Sequence, residues 1–146
     1  MNNIIALVDF SEMTNLVVDK AAEVAEGFSS TLWLLHVADP EFNGFEAGPQ
    51  LGCGSRPPKS YPGTEIMEKF VRKHKANNIE TKPLITNGPT LSTILSVANR
   101  LDADLIVLGT HSYGRIHSAF VGSVSKELLK KSSYRLLLVP ARMLSN

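Results

Sequence analysis

The residues best suited to bind a ligand lie in a segment of small and polar residues that follows Leu108. Near its end, Gly122-Ser123-Val124 begins a helical pattern, and the free N–H groups and positive dipole end of a helix suit a phosphate. Ser123 adds a hydroxyl donor, and Arg115, His111 and His117 add charge. The alternative is a solvated loop with Gly122 as an ordinary helix start, and spacing alone leaves both interpretations open.

Asp9 is a second candidate, because it comes directly after the apolar run from Ile4 to Val8. A carboxylate there could accept hydrogen bonds from a ribose or base, or hold a metal ion through water. The alternative is that Asp9 caps the following helix together with Ser11, for which Thr14 is another candidate N-cap. The two roles of Asp9 are compatible.

Other familiar motifs fail on their spacing. Gly109 and Gly114 have P-loop spacing, but Arg115-Ile116 stands where Lys-Ser/Thr is required. His111 and His117 have no evident third ligand for zinc. No nucleophile, base and orienting group can be assembled either. We therefore predict no catalytic residue and no metal site, and expect at most a slow ATPase by analogy with the fold.

Strand and helix patterns alternate along the chain. Apolar runs predict buried strands, and helical spacing of apolar residues predicts the helices between them. Phe28 falls on the inward-facing apolar stripe of the first helix, and Gly27 supplies the stop of that helix. His36 is interpreted as a satisfied core residue and His74 as lying on a polar helix side. The tail from Pro140 is predicted to be loose. The predicted strands cover 4–8, 31–37, 79–85, 105–108 and 135–139.

Alternating strands and helices of this length indicate a mostly parallel sheet with helices on both faces. Pro83 lacks a donor, so its strand is predicted at a sheet edge. The 39–63 segment is rich in glycine and proline and is predicted to be a long loop within a single domain, 1–146. Ligands of such sheets bind beyond the carboxyl ends of the strands, where strand order reverses. Asp9, the range from Val37 to Asp39 and the loop after Leu108 are therefore the positions of interest.

Composition narrows the class of protein further. The chain has 146 residues, and 15 basic against 14 acidic residues give a net charge of +1, which argues against a nucleic-acid partner bound through bulk charge. Its single cysteine, Cys53, excludes an internal disulfide. The apolar runs fall far short of the ~18 residues a membrane span needs. We expect a cytoplasmic protein with no membrane partner.

Several of these segments together resemble a single-domain universal stress protein over nearly the whole chain. Each segment is short, but their order and spacing are specific. The segments are Ile4 to Glu12, Leu34-Leu35-His36-Val37, Gly88-Pro89 with Ile94, Ala103 to His111, and Gly122-Ser123-Val124-Ser125.

The resemblance implies a flavodoxin-like, adenine nucleotide alpha hydrolase-like fold with five parallel strands in the order 3-2-1-4-5. It also implies a homodimer, often through the last strand, here Arg135 to Val139. An apolar edge such as Leu136-Leu137-Leu138 otherwise risks aggregation, which is a physical reason for pairing.

The resemblance further implies an adenine nucleotide, ATP or AMP with or without Mg²⁺, bound by a dimeric stress-response sensor or regulator. It places the nucleotide at the carboxyl ends of strands 1, 2 and 4. The implied binding residues are Val8, Asp9, Val37, Leu108, Gly109, His111, Ser112, Gly122, Ser123 and Val124.

Ser112 departs from the family's nucleotide-binding motif, which has a second glycine at that position. If the position requires a positive φ, serine costs on the order of 1 kcal/mol, or at most a roughly fivefold to tenfold loss of affinity. Two hypotheses follow: a nucleotide-binding stress protein, or a non-binding member that acts as a dimeric protein-interaction module.

Overall fold

The computed structural model describes residues 1–38, 46–47, 55–56, 60–110 and 123–145. Strands and helices alternate along these residues, as the sequence predicts. The strands are β1 (Asn3–Leu7), β2 (Thr31–Ala38), β3 (Glu46–Ala47), β4 (Ser55–Arg56), β5 (Thr81–Asn87), β6 (Leu105–Gly109) and β7 (Arg135–Val139). The helices are α1 (Met13–Phe28), α2 (Pro62–Ala76), α3 (Thr90–Arg100) and α4 (Ser123–Lys131), followed by a 3₁₀ helix (Ala141–Ser145).

The main sheet of the described part has five parallel strands in the order β5-β2-β1-β6-β7. This is the predicted order 3-2-1-4-5 once the two-residue strands β3 and β4 are set aside, so the predicted fold class is confirmed. β1 lies at the centre, with Ile4 opposite Leu32 on one side and Leu105 on the other. β5 lies at an edge, as Pro83 predicts.

Helices cover both faces of the sheet, because each strand-to-strand crossover places its helix on one face. α1 and α2 pack on the face that carries Ile4, Ala6 and Val8. α3 and α4 pack on the opposite face, which carries Ile5 and Ile106. β1 is therefore apolar on both faces, and this is why its sequence reads as a continuous apolar run.

The 39–63 segment is not only a loop, so that prediction is partly wrong. β3 and β4 form an antiparallel pair in which Glu46 lies opposite Arg56. In addition, α2 already begins at Pro62, with Tyr61 as its N-cap. Proline is favoured in the first turn of a helix because its fixed φ suits the helix and its missing N–H would have no partner there. Pro62 is therefore a helix start, whereas composition alone placed it in a loop.

The predicted end of α1 is also wrong. Gly27 is helical, and the helix continues to Phe28. Ser29 takes the left-handed conformation that closes it, with φ 52°, and its N–H points to the carbonyl groups of Ala25 and Glu26. Phe28 is 55% exposed and not buried in the core. A polar residue thus closes the helix where glycine was expected to do so.

His74 on α2 is buried, with 2% of its surface exposed, so its predicted position on a polar helix side is wrong. It shares the inner face with Met67 and Phe70, whereas Ile66 is 40% exposed. The His74 Nδ1 lies 2.8 Å from the Thr81 hydroxyl, but its Nε2 has no hydrogen-bond partner. Burial lowers the pKa of His74 and the charge of Lys73 lowers it further, although Asp19 opposes both.

The tail after Pro140 is ordered, contrary to the prediction. It forms the 3₁₀ helix, which contacts α1, and Ala141 is buried in the core on that face of the sheet. No helix in the described ranges is long and apolar enough to cross a membrane. That residues 1–146 form a single domain stays a prediction.

Candidate functional site

The carboxyl ends of the parallel strands meet at one edge of the sheet, which we call the carboxyl edge. The ladder extends past the ends of two strands, since the Val8 N–H donates to Leu35 and the Thr110 N–H donates to Val139. From β1 the chain continues to β2 on one side, whereas β6 lies on the other side of β1. Strand order therefore reverses between β1 and β6. Asp9 follows β1, and Gly109 is the last residue of β6. These two strands flank the crevice at which ligands of α/β sheets bind.

Asp9 is exposed and orders the turn between β1 and α1. One of its carboxylate oxygens accepts a 2.9 Å hydrogen bond from the Ser11 N–H. Ser11 in turn accepts a 3.2 Å hydrogen bond from the Met13 N–H through its hydroxyl. The N-cap position itself is Glu12, which makes no side-chain cap, and Thr14 lies buried inside the helix. Neither predicted N-cap residue therefore occupies the cap position, although Ser11 satisfies one free N–H.

Phe10 has an unusual backbone in this turn. Its φ is 59°, in the left-handed region that bulky residues rarely adopt. The ring lies 4.4 Å from the His36 ring, centroid to centroid, and packs on the core beneath α1 and α2. It also fills the space in which a side chain at Gly63 would lie. Packing on both sides thus compensates for a strained backbone.

His36 connects the turn to α2. Its Nδ1 lies 2.6 Å from the Val8 carbonyl oxygen, and its Nε2 lies 2.9 Å from the Tyr61 hydroxyl. Because a carbonyl oxygen only accepts, Nδ1 carries the proton, and neutral Nε2 accepts from Tyr61. Burial lowers the pKa of His36, although the Val8 carbonyl and Asp9 both act to raise it. Both ring nitrogens are thus satisfied, as predicted for a residue that is not a ligand.

Val37 and Leu108 face the opposite side of the sheet from His36. Leu108 is buried in the α3/α4 core, and Val37 packs against that core while remaining partly exposed. Val37 therefore lies near the end of β2 on the side of α3 and α4.

Gly109 ends β6 and has a packing reason to be glycine. A Cβ at this position would lie 3.0 Å from the Met13 Cε and 3.4 Å from a Val17 methyl. A side chain here would therefore push against the first turns of α1. The small residue allows α1 to lie close to β6, in addition to any role in ligand approach.

The amino end of α4 lies at the carboxyl edge, because the helix must return to the start of the parallel strand β7. Ser123 is its first residue and is exposed, Val124 is partly buried, and Ser125 is buried. The first turn holds no acidic residue that would repel an anion. The other predicted residues of this segment, His111, Ser112 and Gly122, lie outside the described residues.

Sequence reasoning missed the contribution of Phe10, Tyr61 and Gly63 to this edge. Tyr61 was hidden in a segment whose composition reads as loop, and no local signal marks Phe10 for a positive φ. Only the Tyr-Pro-Gly-Thr start of α2, with proline in the first turn, could have indicated the helix. Across the part of the chain that the structure covers, no group of three or more His, Cys, Asp or Glu residues is arranged to hold a metal ion.

The fold defines an α/β protein with a five-stranded parallel sheet covered by helices on both faces. Residues 1–140 match the family model described as Universal stress protein family. The chain belongs to this family. It is 25% identical over 139 residues to Universal stress protein A homolog 1 of Coxiella burnetii, with 94% of each chain covered.

Solved structures of universal stress proteins share this fold. One in complex with cAMP is 18% identical, with a TM-score of 0.70 over 95% of this chain and 96% of that one. An Arabidopsis thaliana protein with AMP bound is 16% identical, with a TM-score of 0.63 over 96% and 91%. An Archaeoglobus fulgidus protein in complex with dAMP is 18% identical, with a TM-score of 0.64 over 94% and 96%.

Proposed function

We propose that this universal stress protein binds an adenine nucleotide at the carboxyl edge and acts as a dimeric stress-response sensor or regulator. The observation that carries the proposal is that Asp9, Val37 and Gly109 lie at or just beyond the carboxyl ends of the neighbouring strands β1, β2 and β6, beside the reversal of strand order. This supports the proposal because α/β sheets bind nucleotides at that place. The predicted residues Val8, Leu108, His111, Ser112, Gly122, Ser123 and Val124 complete the proposed site.

Adenosine monophosphates are the ligands that the comparisons favour. The three solved relatives were found with cAMP, AMP and dAMP, which share an adenine, a ribose-type sugar and one phosphate. In this chain, exposed Asp9 offers a carboxylate acceptor for the sugar or base. The exposed amino end of α4, with Ser123 and no acidic residue in its first turn, suits the phosphate. ATP, with or without Mg²⁺, is the larger ligand to test.

Dimerisation through the edge strand β7 is the second part of the proposal. β7 pairs with β6 on one side, and Leu136, Leu137 and Leu138 are each partly exposed. In a parallel strand, the N–H and C=O of one residue point to the same side. The Val139 carbonyl accepts from Thr110 of the β6 side, so the polar backbone groups of Leu136 and Leu138 point away from β6. A second copy of the chain could pair with them.

Calorimetric titration of the dialysed protein with AMP, and with ATP and Mg²⁺, tests the nucleotide proposal. We expect micromolar binding of at least one of them. Gly122→Val should abolish binding without unfolding the protein, because a branched side chain at the start of α4 blocks close approach of a phosphate. The matched control is Gly27→Val, which places the same side chain near the carboxyl end of α1, at the opposite edge of the sheet.

Two results would refute the proposal. The first is the absence of heat up to millimolar nucleotide together with a null result in equilibrium dialysis. The second is an unchanged affinity in Gly122→Val. Either would favour the second candidate, a dimeric interaction module without a nucleotide, which is motivated by Ser112 in place of the motif glycine. Near-stoichiometric ATP in the purified protein would exclude that candidate.

A further inference from the structure

We infer that His36 is a positioning residue that holds the turn after β1, and Asp9 with it, in place at the candidate nucleotide site. The inference rests on the proposed function, because the turn matters for ligand binding only if the carboxyl edge is the site. His36 itself points away from the proposed ligand. It acts through the backbone of Val8 and through the ring of Phe10.

The contact with Val8 is the first argument. The Val8 N–H still belongs to the sheet, since it donates to Leu35, but its carbonyl lies beyond the last residue of β1. The Nδ1–H of His36 takes up this carbonyl at 2.6 Å. Asp9 is the next residue, so the direction of its backbone is set by the peptide group that His36 holds. Without this donor, the carbonyl of buried Val8 would lack a hydrogen-bond partner at the point where the chain leaves the sheet.

The second argument is that His36 joins three otherwise separate elements. Its Nε2 contacts the Tyr61 hydroxyl at the start of α2, and its ring supports Phe10 at 4.4 Å. Phe10 adopts φ 59°, which a bulky residue keeps only when its surroundings determine it. Gly63 leaves the room for the other side of that ring. The turn that carries Asp9 is therefore clamped between β2 and α2.

The third argument is the separation of His36 from the proposed ligand. Alternate residues of a strand point to opposite faces, so His36 faces α1 and α2 while Val37 faces α3 and α4. Val37 is the predicted contact for the nucleotide on β2. One strand end thus offers a ligand contact on one face and a support for the neighbouring turn on the other.

Two substitutions separate positioning from simple packing. The amide nitrogen of asparagine can replace Nδ1, whereas that of glutamine can replace Nε2. His36→Asn should keep the donor to the Val8 carbonyl and retain AMP affinity within about twofold. His36→Gln should lose that donor and weaken AMP binding by roughly tenfold. The Ser11 N–H donates a hydrogen bond to the Asp9 carboxylate. In the absence of nucleotide, hydrogen exchange of this amide should accelerate in His36→Gln and not in His36→Asn.

The matched control is His74→Gln. His74 is also buried on the α1/α2 face and hydrogen-bonded, but it lies near the carboxyl end of α2, at the other edge of the sheet. This variant should lose stability and keep the AMP affinity of the wild type.

The outcomes distinguish this inference from the proposed function. If the wild-type protein binds AMP and His36→Gln binds it equally well, the inference is overturned and the nucleotide site stands. The inference also fails if His36→Asn is as weak as His36→Gln, because the hydrogen bond to the Val8 carbonyl would then not be what holds the turn. If the wild-type protein binds no adenine nucleotide, both the site and the positioning role are overturned.

Discussion

The Phe10 ring occupies the space directly beside the Cα of Gly63, so that a side chain at Gly63 would overlap two ring carbons. This contact joins the turn after β1 to the first turn of α2, two segments separated by more than fifty residues. It also explains a glycine in a buried helical position, where alanine would favour the helix. Glycine lowers the helix propensity at this position, but it leaves the space that the Phe10 ring occupies.

Gly63→Ala should therefore destabilise the protein, although alanine is the better helix former. We expect a loss of about 1–3 kcal/mol in the free energy of unfolding, typical of overpacking in a dense core. Urea unfolding followed by circular dichroism measures it. Phe10 must move to admit the methyl group, so AMP affinity should fall in the same variant if the turn belongs to the site.

Gly27→Ala is the control for that experiment. Gly27 is also helical, but nothing lies within 4 Å of a Cβ placed on it, and its φ is not positive. Here alanine should stabilise the protein by about 0.5–1 kcal/mol through helix propensity alone. Equal effects of the two substitutions would contradict the proposed contact between Phe10 and Gly63.

Acid should destabilise the protein through buried His74 and partly buried His36. Burial lowers the pKa of His74 from its usual 6.5 in the folded state, with Lys73 adding to the effect and Asp19 opposing it. The unfolded chain then binds a proton that the folded chain does not, so stability is full above pH 6.5 and is lost as pH falls below it. The Nε2 of His74 has no hydrogen-bond partner, so a proton added there gains no hydrogen bond in the folded state.

Urea unfolding at pH 7.5 and at pH 5.5 tests this dependence. The loss of stability between the two values should be smaller in His74→Gln, which does not titrate, than in the wild-type protein. Some loss should persist in that variant, because burial also lowers the pKa of His36. Identical losses in the two proteins would show that His74 does not carry the effect.

The outer edge of β7 should carry the dimer. Leu138→Pro removes an N–H that points away from β6, so it should weaken the dimer while the pairing with β6 persists. Leu138→Ala shortens the side chain but keeps the N–H, and it should remain dimeric. Sedimentation velocity over a range of concentrations compares them. A wild-type monomer at every concentration, or equal dimers in both variants, would refute pairing through this edge.

Ser112→Gly should strengthen nucleotide binding. It restores the glycine of the family's binding motif, and if the motif requires a positive φ there, glycine avoids a cost of about 1 kcal/mol. The affinity for ATP should rise by at most roughly tenfold, as measured by calorimetry. Ser118→Gly, in the same segment but outside the motif, should leave affinity unchanged. A gain from both substitutions would indicate a general effect of loop flexibility.

Local pattern and the family's motifs were enough to predict the fold. β1 and β6 read as continuous apolar runs because they are buried on both faces of the sheet. α3 shows apolar residues at helical spacing because it is buried on one face only. β7 was predicted with its observed bounds. Pro83 indicated an edge strand because a missing donor is a property of the residue itself. The family resemblance then supplied the strand order, which no single run contains.

Element ends were predicted less well, because they depend on competition between neighbours. Gly27 could have ended α1, but Ser29 takes the left-handed position instead. Thr14 could have capped α1, yet it lies inside the helix. His74 reads as polar between two lysines, and only the packing of α2 on β5 buries it beside Thr81.

The sequence by itself determined which residues of this protein form its strands and helices, and which segments resemble the motifs of its family. The tertiary structure decided which of them act together at the carboxyl edge. His36, Phe10 and Tyr61 meet only because β2 lies beside β1 and the start of α2 contacts both His36 and the turn after β1. Such contacts join residues far apart in sequence, and their energy comes from packing that no local pattern records.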